Sequence, residues 1–227
     1  MTCKGFNEVT QEEEEEEEVI MTATLNGMTM PPWASHVEDK LAPMPLLLVQ
    51  AFVDTLDQDL GTDKLEHPNE ARAWLADAGL RVPDPDQPDA DFDDDLRLAR
   101  EARAGIQALI GRNTGDEPLT PDDLAPLEQA LGQVQPQLDV GVDGRVRLGP
   151  ALPAHSLADG LLRLLLIVRD AQADGNWDRL KLCGNPDCRW AFYDRSHSRQ
   201  GAWCEMASCG NRLKNRNLRA RRAATPA

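Results

Sequence analysis

Apolar side chains recur at every third or fourth position in five stretches of the chain, and this spacing is that of the buried face of an α-helix. The stretches, which fall between residues 43 and 172, are PMPLLLVQAFVDTL, HPNEARAWLADAGL, DDLRLAREARAGIQALIGR, TPDDLAPLEQALGQ and HSLADGLLRLLLIVRDAQ. In the second stretch Pro68 lies near the predicted helix start and Gly79 near its end, and Thr120 and Ser156 are candidate N-caps of the last two. The pattern predicts a body built mainly from helices.

A different pattern interrupts the helices at VGVDGRVRLGP, where apolar and polar residues alternate around Asp143-Gly144. Alternation around an Asp-Gly pair predicts a β-hairpin. The acidic stretch RVPDPDQPDADFDDD is predicted to be a solvated loop. A calcium loop starting at Asp84 would need Gly and Glu at its sixth and twelfth positions, where the sequence has Asp89 and Asp95.

Residues 1–30 have the composition of a disordered acidic tail, because the seven consecutive glutamates from Glu12 to Glu18 repel one another and offer nothing to a core. Met21 is an alternative start, so residues 1–20 are either a working tail or a misassigned extension. No apolar run reaches the roughly 20 residues of a membrane span, and the N-terminus lacks a signal-peptide pattern. The expected location is therefore the cytoplasm.

Charge divides the chain into an acidic body and a basic end. Residues 183–227 hold nine Lys or Arg and three Asp or Glu, a surplus of +6, so residues 1–182 carry −21 of the net charge of −15. The domain prediction is an acidic tail over residues 1–30, a helix-rich domain over 40–177 and a small basic module over 180–224. Nucleic-acid binding depends on local charge, so the basic module is a candidate although the whole chain is acidic.

Four of the five cysteines lie in the basic module as two matched pairs. Four residues separate Cys183 from Cys188, fifteen follow, and four more separate Cys204 from Cys209. This spacing is typical of structural zinc, and a reducing cytoplasm argues against disulfides. Four thiolates leave no open position on the ion for a substrate, so we expect one structural Zn²⁺ per chain. The body shows no set of residues typical of a catalytic site, so we expect no enzymatic activity.

Three other interpretations of the cysteines stay open on the residues alone. They are an iron–sulfur cluster, although ferredoxin spacings differ; a redox pair, although such pairs usually have two intervening residues; and buried free thiols. Between the pairs, Trp190, Phe192 and Asp194 alternate before a polar turn, which predicts a small hairpin there. A module of about 45 residues cannot build an adequate core alone, so metal binding is expected to support its folding, with a core separate from that of the body.

The stretch NRLKNRNLRARR, after the last cysteine, contains good helix formers and no breaker. At about 100° per residue, six of its eight Arg and Asn residues share an arc of about 140°, opposite Leu213 and Ala220. These candidate nucleic-acid contacts are Asn211, Arg212, Asn215, Arg216, Arg219 and Arg222. Arg and Asn bind phosphates and read guanine and adenine edges. Alternatively, the arginines neutralise the −2 charge of a zinc tetrathiolate, face only solvent, or dock an acidic partner.

The stretches RWAFYDRS and WCEMASCGNR, with the basic end, resemble the CGNR zinc finger family, named for the tetrapeptide at residues 209–212. The body resembles the ABATE domain that usually precedes this finger, through AFVDTL and EARAWLADAGL. The resemblance covers roughly residues 46–222. It implies a bacterial, stress-linked transcription regulator whose finger binds DNA, with the four cysteines as zinc ligands and DNA contacts at Asn211 and Arg212. This chain has Gly201-Ala202 where many members are basic, which would cost one phosphate contact.

The sequence thus predicts a mainly α protein with a small β-hairpin, in which a helical N-terminal domain precedes a four-cysteine zinc-finger module made of a hairpin and a basic helix. The leading function is a transcription regulator that binds DNA through this module, with a sensory or dimerisation role for the N-terminal domain. The expected partners are DNA, an unidentified small-molecule effector and a second copy of the chain, but not a membrane. The alternative is an adaptor that uses the zinc module to dock a protein or an RNA-associated partner.

Overall fold

The chain divides into two units, residues 1–32 and residues 33–227. The computed structural model describes residues 24–25, 28–34, 40–83, 92–134, 136–150 and 153–223. In the first unit, strands β1 (Thr24–Leu25) and β2 (Met28–Thr29) pair antiparallel. The glutamate run and most of the predicted acidic loop lie outside the described residues.

The second unit is mainly helical, as the apolar spacing predicts. The helices of its described part are α1 (Leu46–Val53), α2 (Pro68–Asp77), α3 (Phe92–Gly111), α4 (Pro121–Leu131), α5 (Leu157–Ala173) and α6 (Asn211–Ala223). Both predicted N-caps are confirmed: Thr120 Oγ1 accepts from the Asp123 N–H at 3.3 Å, and Ser156 Oγ accepts from the Asp159 N–H at 3.2 Å. Among the described residues, no helix combines the length and apolar character that crossing a membrane would require.

Short antiparallel strand pairs connect the helices of this unit. They are β3 (Leu56–Asp57) with β4 (Thr62–Asp63), β5 (Gln137–Val140) with β6 (Val146–Gly149), and β7 (Leu180–Leu182) with β8 (Ala191–Tyr193). The β5–β6 pair is the hairpin predicted at Asp143-Gly144, and Gly144 has the left-handed φ of +73° that glycine tolerates.

The second predicted hairpin is wrong in its pairing. The sequence suggested a hairpin inside residues 189–203, but β8 pairs back with β7, across the first cysteine pair. All three residues of each strand are buried, so neither strand has the alternating exposure that marks a half-buried strand in a sequence.

A shared hydrophobic core joins the helices to this hairpin. Helices α1, α3 and α5 pack together, and β7 lies against α3 while β8 lies against α1. Leu180, Leu182, Ala191 and Tyr193 are buried in the same cluster as Phe52. The expectation of separate cores is therefore wrong for the hairpin, although three of the cysteines form a second buried cluster of their own. The predicted fold class, a mainly helical body followed by a four-cysteine module, is confirmed.

Candidate metal centre and nucleic-acid interface

Two buried polar side chains at α1 fix the position of β8. Gln50 Nε2 donates to the Ala191 carbonyl at 3.2 Å, while Gln50 Oε1 accepts from the Ala42 N–H at 2.7 Å. Asp54 Oδ1 accepts from the Ala191 N–H at 2.7 Å. Buried polar groups need such partners, so these bonds favour one placement of the strand. Sequence reasoning missed both residues; the available signal was a Gln and an Asp four positions apart in the otherwise apolar LLLVQAFVD.

Further hydrogen bonds hold the hairpin from its other sides. Asn113 Nδ2 donates to the carbonyls of Trp177 and Leu180, each at 2.9 Å. The Tyr193 N–H donates to the Lys40 carbonyl at 2.8 Å, and Lys40 Nζ donates to the Trp203 carbonyl at 2.6 Å. The hairpin is therefore held from several sides, and its turn carries the first cysteine pair.

The first pair lies in the tight turn between β7 and β8. The Cys183 N–H donates to the Trp190 carbonyl at 2.8 Å, which extends the hairpin by one step. The Asn185 carbonyl then accepts from the N–H groups of Cys188 and Arg189 at 3.0 and 3.1 Å. These bonds fold the chain back so that both thiols face the same side.

The second pair is placed by close packing around an indole ring. The Gly184 N–H donates to the Ala202 carbonyl at 2.8 Å, which brings Trp203 beside the first turn. A Cβ on Gly184 would lie 3.1 Å from Trp203 Cζ3, and one on Gly210 would lie 3.2 Å from Trp203 Cδ1. Both positions therefore favour glycine. Cys209 lies in the wide π-type turn Met206–Gly210, which leads directly into α6.

The loop from β8 to the second pair is organised by Asp194. Its Oδ1 accepts from the Ser196 N–H at 3.0 Å, and its Oδ2 accepts from the Gly201 N–H at 2.7 Å and from Lys181 Nζ at 3.1 Å. Burial alone would raise the pKa of Asp194, but hydrogen bonds from Ser196, Lys181 and Gly201 outweigh it and hold the pKa well below its usual range. Hydrogen bonds to the Asp194 carboxylate therefore hold this loop, in which the sequence predicts a hairpin.

The four sulfur atoms converge on one point. Their Sγ atoms all lie within 4.8 Å of one another, with 3.7 Å separating Cys204 from Cys188 and from Cys209. Four thiolates at about 2.3 Å from a tetrahedral Zn²⁺ would be about 3.8 Å apart, so the donor set fits one such ion. A four-iron cluster, in which each cysteine binds a different iron, would hold the sulfurs farther apart. Cys183, Cys188 and Cys209 are buried, and Cys204 is half-buried.

Because the thiols lie close together, their pKa values shift in opposite directions. Hydrogen bonds from the Cys188 and Cys204 thiols lower the pKa of Cys183. The bond with Cys183 in turn raises the pKa of both Cys188 and Cys204. A divalent cation would stabilise all four thiolates, so its binding would be accompanied by proton release.

Helix α6 begins two residues after Cys209 and carries the predicted contact face. Arg212, Asn215, Arg216 and Arg219 are exposed. Arg222 also lies on α6, but its side chain is outside what the structure describes. Asn211 is exposed as well, although its Nδ2 donates to the Ala207 carbonyl at 3.1 Å and so braces the preceding turn.

Two arginines of this face are paired with carboxylates. Arg212 Nη1 contacts both oxygens of Asp59, at 2.6 and 2.7 Å, and Asp59 belongs to the turn between β3 and β4. Arg216 Nη1 contacts Asp187, in the first cysteine turn, at 2.8 Å. The Asp59 bonds raise the pKa of Arg212, which stays charged. The structure therefore connects the helical body directly to the basic face.

Comparison with family models identifies the two parts of the chain. Residues 46–173, more than half of the chain, match the ABATE family, described as "Putative stress-induced transcription regulator". The chain belongs to the ABATE family. Residues 179–222 match the CGNR zinc finger, so the architecture expected from WCEMASCGNR and EARAWLADAGL is confirmed. A search of curated proteins found no match.

The geometry gives each residue of the CGNR tetrapeptide a different role. Cys209 completes the sulfur cluster, Gly210 gives room to the Trp203 ring, and Asn211 braces the turn before α6. Arg212 projects from the helix to the ABATE domain. The tetrapeptide therefore joins the candidate metal centre, the basic helix and the ABATE domain within one turn of chain.

Proposed function

We propose that this protein is a transcription regulator that binds DNA through α6, with one structural Zn²⁺ per chain holding the base of that helix. The observation that carries this proposal is the charge of α6: its thirteen residues include six Lys or Arg and no Asp or Glu. Phosphate neutralisation by such side chains supplies most of the sequence-independent affinity of proteins for DNA. The protein acts by binding rather than by catalysis, in the reducing cytoplasm, where thiols stay available for metal.

Support for zinc comes from the sulfur geometry together with the match to the CGNR zinc finger. Cys183, Cys188, Cys204 and Cys209 would hold the ion. Bound zinc would neutralise part of the thiolate charge and cross-link the turn before α6 to the β7–β8 hairpin. The hairpin is part of the body core, so the metal would fix the orientation of α6 relative to the ABATE domain.

The ion pairs of the basic face suggest how the ABATE domain regulates binding. DNA phosphates and the Asp59 carboxylate would compete for the same Arg212 guanidinium. A displacement of the β3–β4 turn, by an effector or a partner, would release Arg212 to the nucleic acid. We therefore propose that the ABATE domain acts on DNA binding through its direct contact with the basic helix, between Asp59 and Arg212.

The test is the affinity of zinc-loaded, full-length protein for a fluorescent duplex, measured by anisotropy. Replacing Arg212, Arg216 and Arg219 together by Ala should weaken binding at least tenfold. The matched control replaces three exposed arginines away from α6, Arg97, Arg145 and Arg169, and should change affinity less than twofold. Equal loss in both variants would refute α6 as the contact surface.

The alternative function is an adaptor whose basic helix docks an acidic protein or an RNA-associated partner. The observation in its favour is that Arg212 and Arg216 are both already bound to carboxylates. A competition experiment distinguishes the two functions. If poly-glutamate or a structured RNA displaces duplex DNA at equal or lower charge concentration, the adaptor is favoured; if both compete poorly, DNA is the preferred ligand.

A further inference from the structure

The β5–β6 hairpin has an apolar face that the described residues leave open to solvent. Leu138, Val140, Val146 and Leu148 are 73%, 68%, 66% and 43% exposed. The register pairs Leu138 with Leu148 and Val140 with Val146, and cross-strand partners point to the same side of a hairpin. These four side chains therefore form one continuous surface, called here the hairpin face.

The opposite side of the hairpin is polar and also exposed. Asp139 lies across from Arg147 in the register, and Arg147 Nη2 contacts Asp143 Oδ2 at 2.5 Å. Neither side of β5 is packed on the helical body, since all four of its residues are exposed. A two-stranded hairpin with uncovered aliphatic side chains is marginal in water, and exposed apolar surfaces of this kind mark interaction sites.

We propose that the hairpin face is a dimer interface, on which the same face of a second copy of this chain packs. Charge is the first argument. The hairpin, residues 137–149, holds two Asp and two Arg and is neutral, whereas the whole chain carries −15. Two copies of so acidic a chain repel one another over most of their surface, and they can meet closely where the local charge is zero.

Self-complementarity is the second argument. The hairpin face is made of two like cross-strand pairs, Leu with Leu and Val with Val, so a two-fold axis through its centre would place similar side chains opposite one another. The hairpin's arginines are matched by its own carboxylates, which leaves no net charge to attract nucleic acid or an acidic peptide. The surface that best matches the hairpin face is another uncharged aliphatic surface of the same length, and the hairpin face of a second copy is such a surface.

The size of the hairpin face determines how tightly the two copies are expected to bind. Eight partly exposed aliphatic side chains, four from each copy, would be buried between two hairpins stacked at about 10 Å. This area is smaller than the roughly 800 Å² per partner of a standard stable interface. A reversible dimer with a dissociation constant on the order of micromolar is therefore expected. This inference does not depend on DNA binding.

The test is sedimentation of the full-length protein over a concentration series from about 0.5 to 200 micromolar, a range that brackets the expected dissociation constant. Wild-type protein should shift from monomer to dimer. The variant Leu138→Glu with Val146→Glu should raise the dissociation constant by at least about 10,000-fold, because the dimer would bury four unpaired carboxylates, two from each copy, and each is expected to cost tenfold or more. The matched control, Gln137→Glu with Val142→Glu, adds the same charge on the polar side and at the turn, and should still form the dimer.

Hydrogen exchange of the wild-type protein keeps the proposal testable if the double variant fails to fold. Amides of residues 137–149 should become protected as concentration rises, while those of α2 should not change. A wild-type protein that stays monomeric throughout the series would overturn the proposal. Dimerisation that survives in the folded double variant, or hairpin protection that is independent of concentration and so reflects cover from its own chain, would overturn it equally.

Discussion

Replacing Asp194 by Asn should lower the free energy of unfolding by about 2–4 kcal/mol at neutral pH. The Asp194 side chain is 5% exposed and the Lys181 side chain is 8% exposed. Asn keeps one acceptor oxygen but removes the charge opposite Lys181 Nζ. Breaking one side of a buried pair costs about 3–5 kcal/mol, and the remaining bond from Lys181 to the Arg199 carbonyl offsets part of this cost.

Urea denaturation of zinc-loaded protein measures the effect. The matched control is Asp170→Asn, because the Asp170 carboxylate pairs with Arg169 at 2.7 Å but the two side chains are 61% and 54% exposed. An exposed pair is worth about 0–1 kcal/mol, so the control should cost less than about 1 kcal/mol. If the two variants lose the same stability, the organising role of Asp194 in the loop before Cys204 is refuted.

The loss of stability caused by Asp194→Asn should depend on pH. The folded pKa of Asp194 lies below its unfolded value of about 3.9, so the stability that its charge supplies is fully present well above pH 4 and is lost as pH falls through the folded pKa. The difference between wild type and Asp194→Asn should therefore shrink as pH is lowered from about 6 towards 3. A difference that stays constant over this range would contradict the depressed pKa.

Three further predictions concern the metal and the masking of α6. Chelation should expose the amides of the cysteine turns, residues 183–190 and 203–212, to hydrogen exchange while β7 and β8 stay protected, since both strands belong to the body core; deprotection of β7 while α5 stays protected would argue against a shared core. Asp59→Asn should tighten binding to non-specific DNA at low salt, unlike the control Asp94→Asn, and an unchanged affinity would exclude competition for Arg212. Deleting residues 1–20, which removes eight Glu and one Lys, should also tighten binding at low salt, whereas equal affinities across a salt series would leave the tail without a masking role.

Local chemistry made much of the fold predictable from the sequence. Thr120 and Ser156 act as caps because their side chains reach backbone groups three residues ahead, and Asp143-Gly144 forms a hairpin because glycine tolerates the turn. The cysteine cluster was predictable for a similar reason, since one ion requires four ligands and the spacing of Cys183 to Cys209 supplies them.

The interactions that sequence reasoning missed are non-local. The pairing of β7 with β8 depends on burial of both strands against α1 and α3, so the strands have no alternation for a sequence to show. Gln50 and Asp54 contact Ala191 across about 140 residues of chain, and a helical pattern does not specify what a polar position will bind. The Arg212–Asp59 pair is likewise invisible in the composition of α6.

The salt dependence of DNA affinity tests the central claim most directly, because it reports how many phosphates the protein neutralises. The slope of log K against log salt becomes shallower by about 0.9 for each phosphate that is no longer neutralised, so removing Arg212, Arg216 and Arg219 should reduce it by about 2.7 when all three bind phosphates. The control variant lacking Arg97, Arg145 and Arg169 should keep the wild-type slope. Equal slopes for the two variants would contradict the assignment of α6 as the DNA-binding surface.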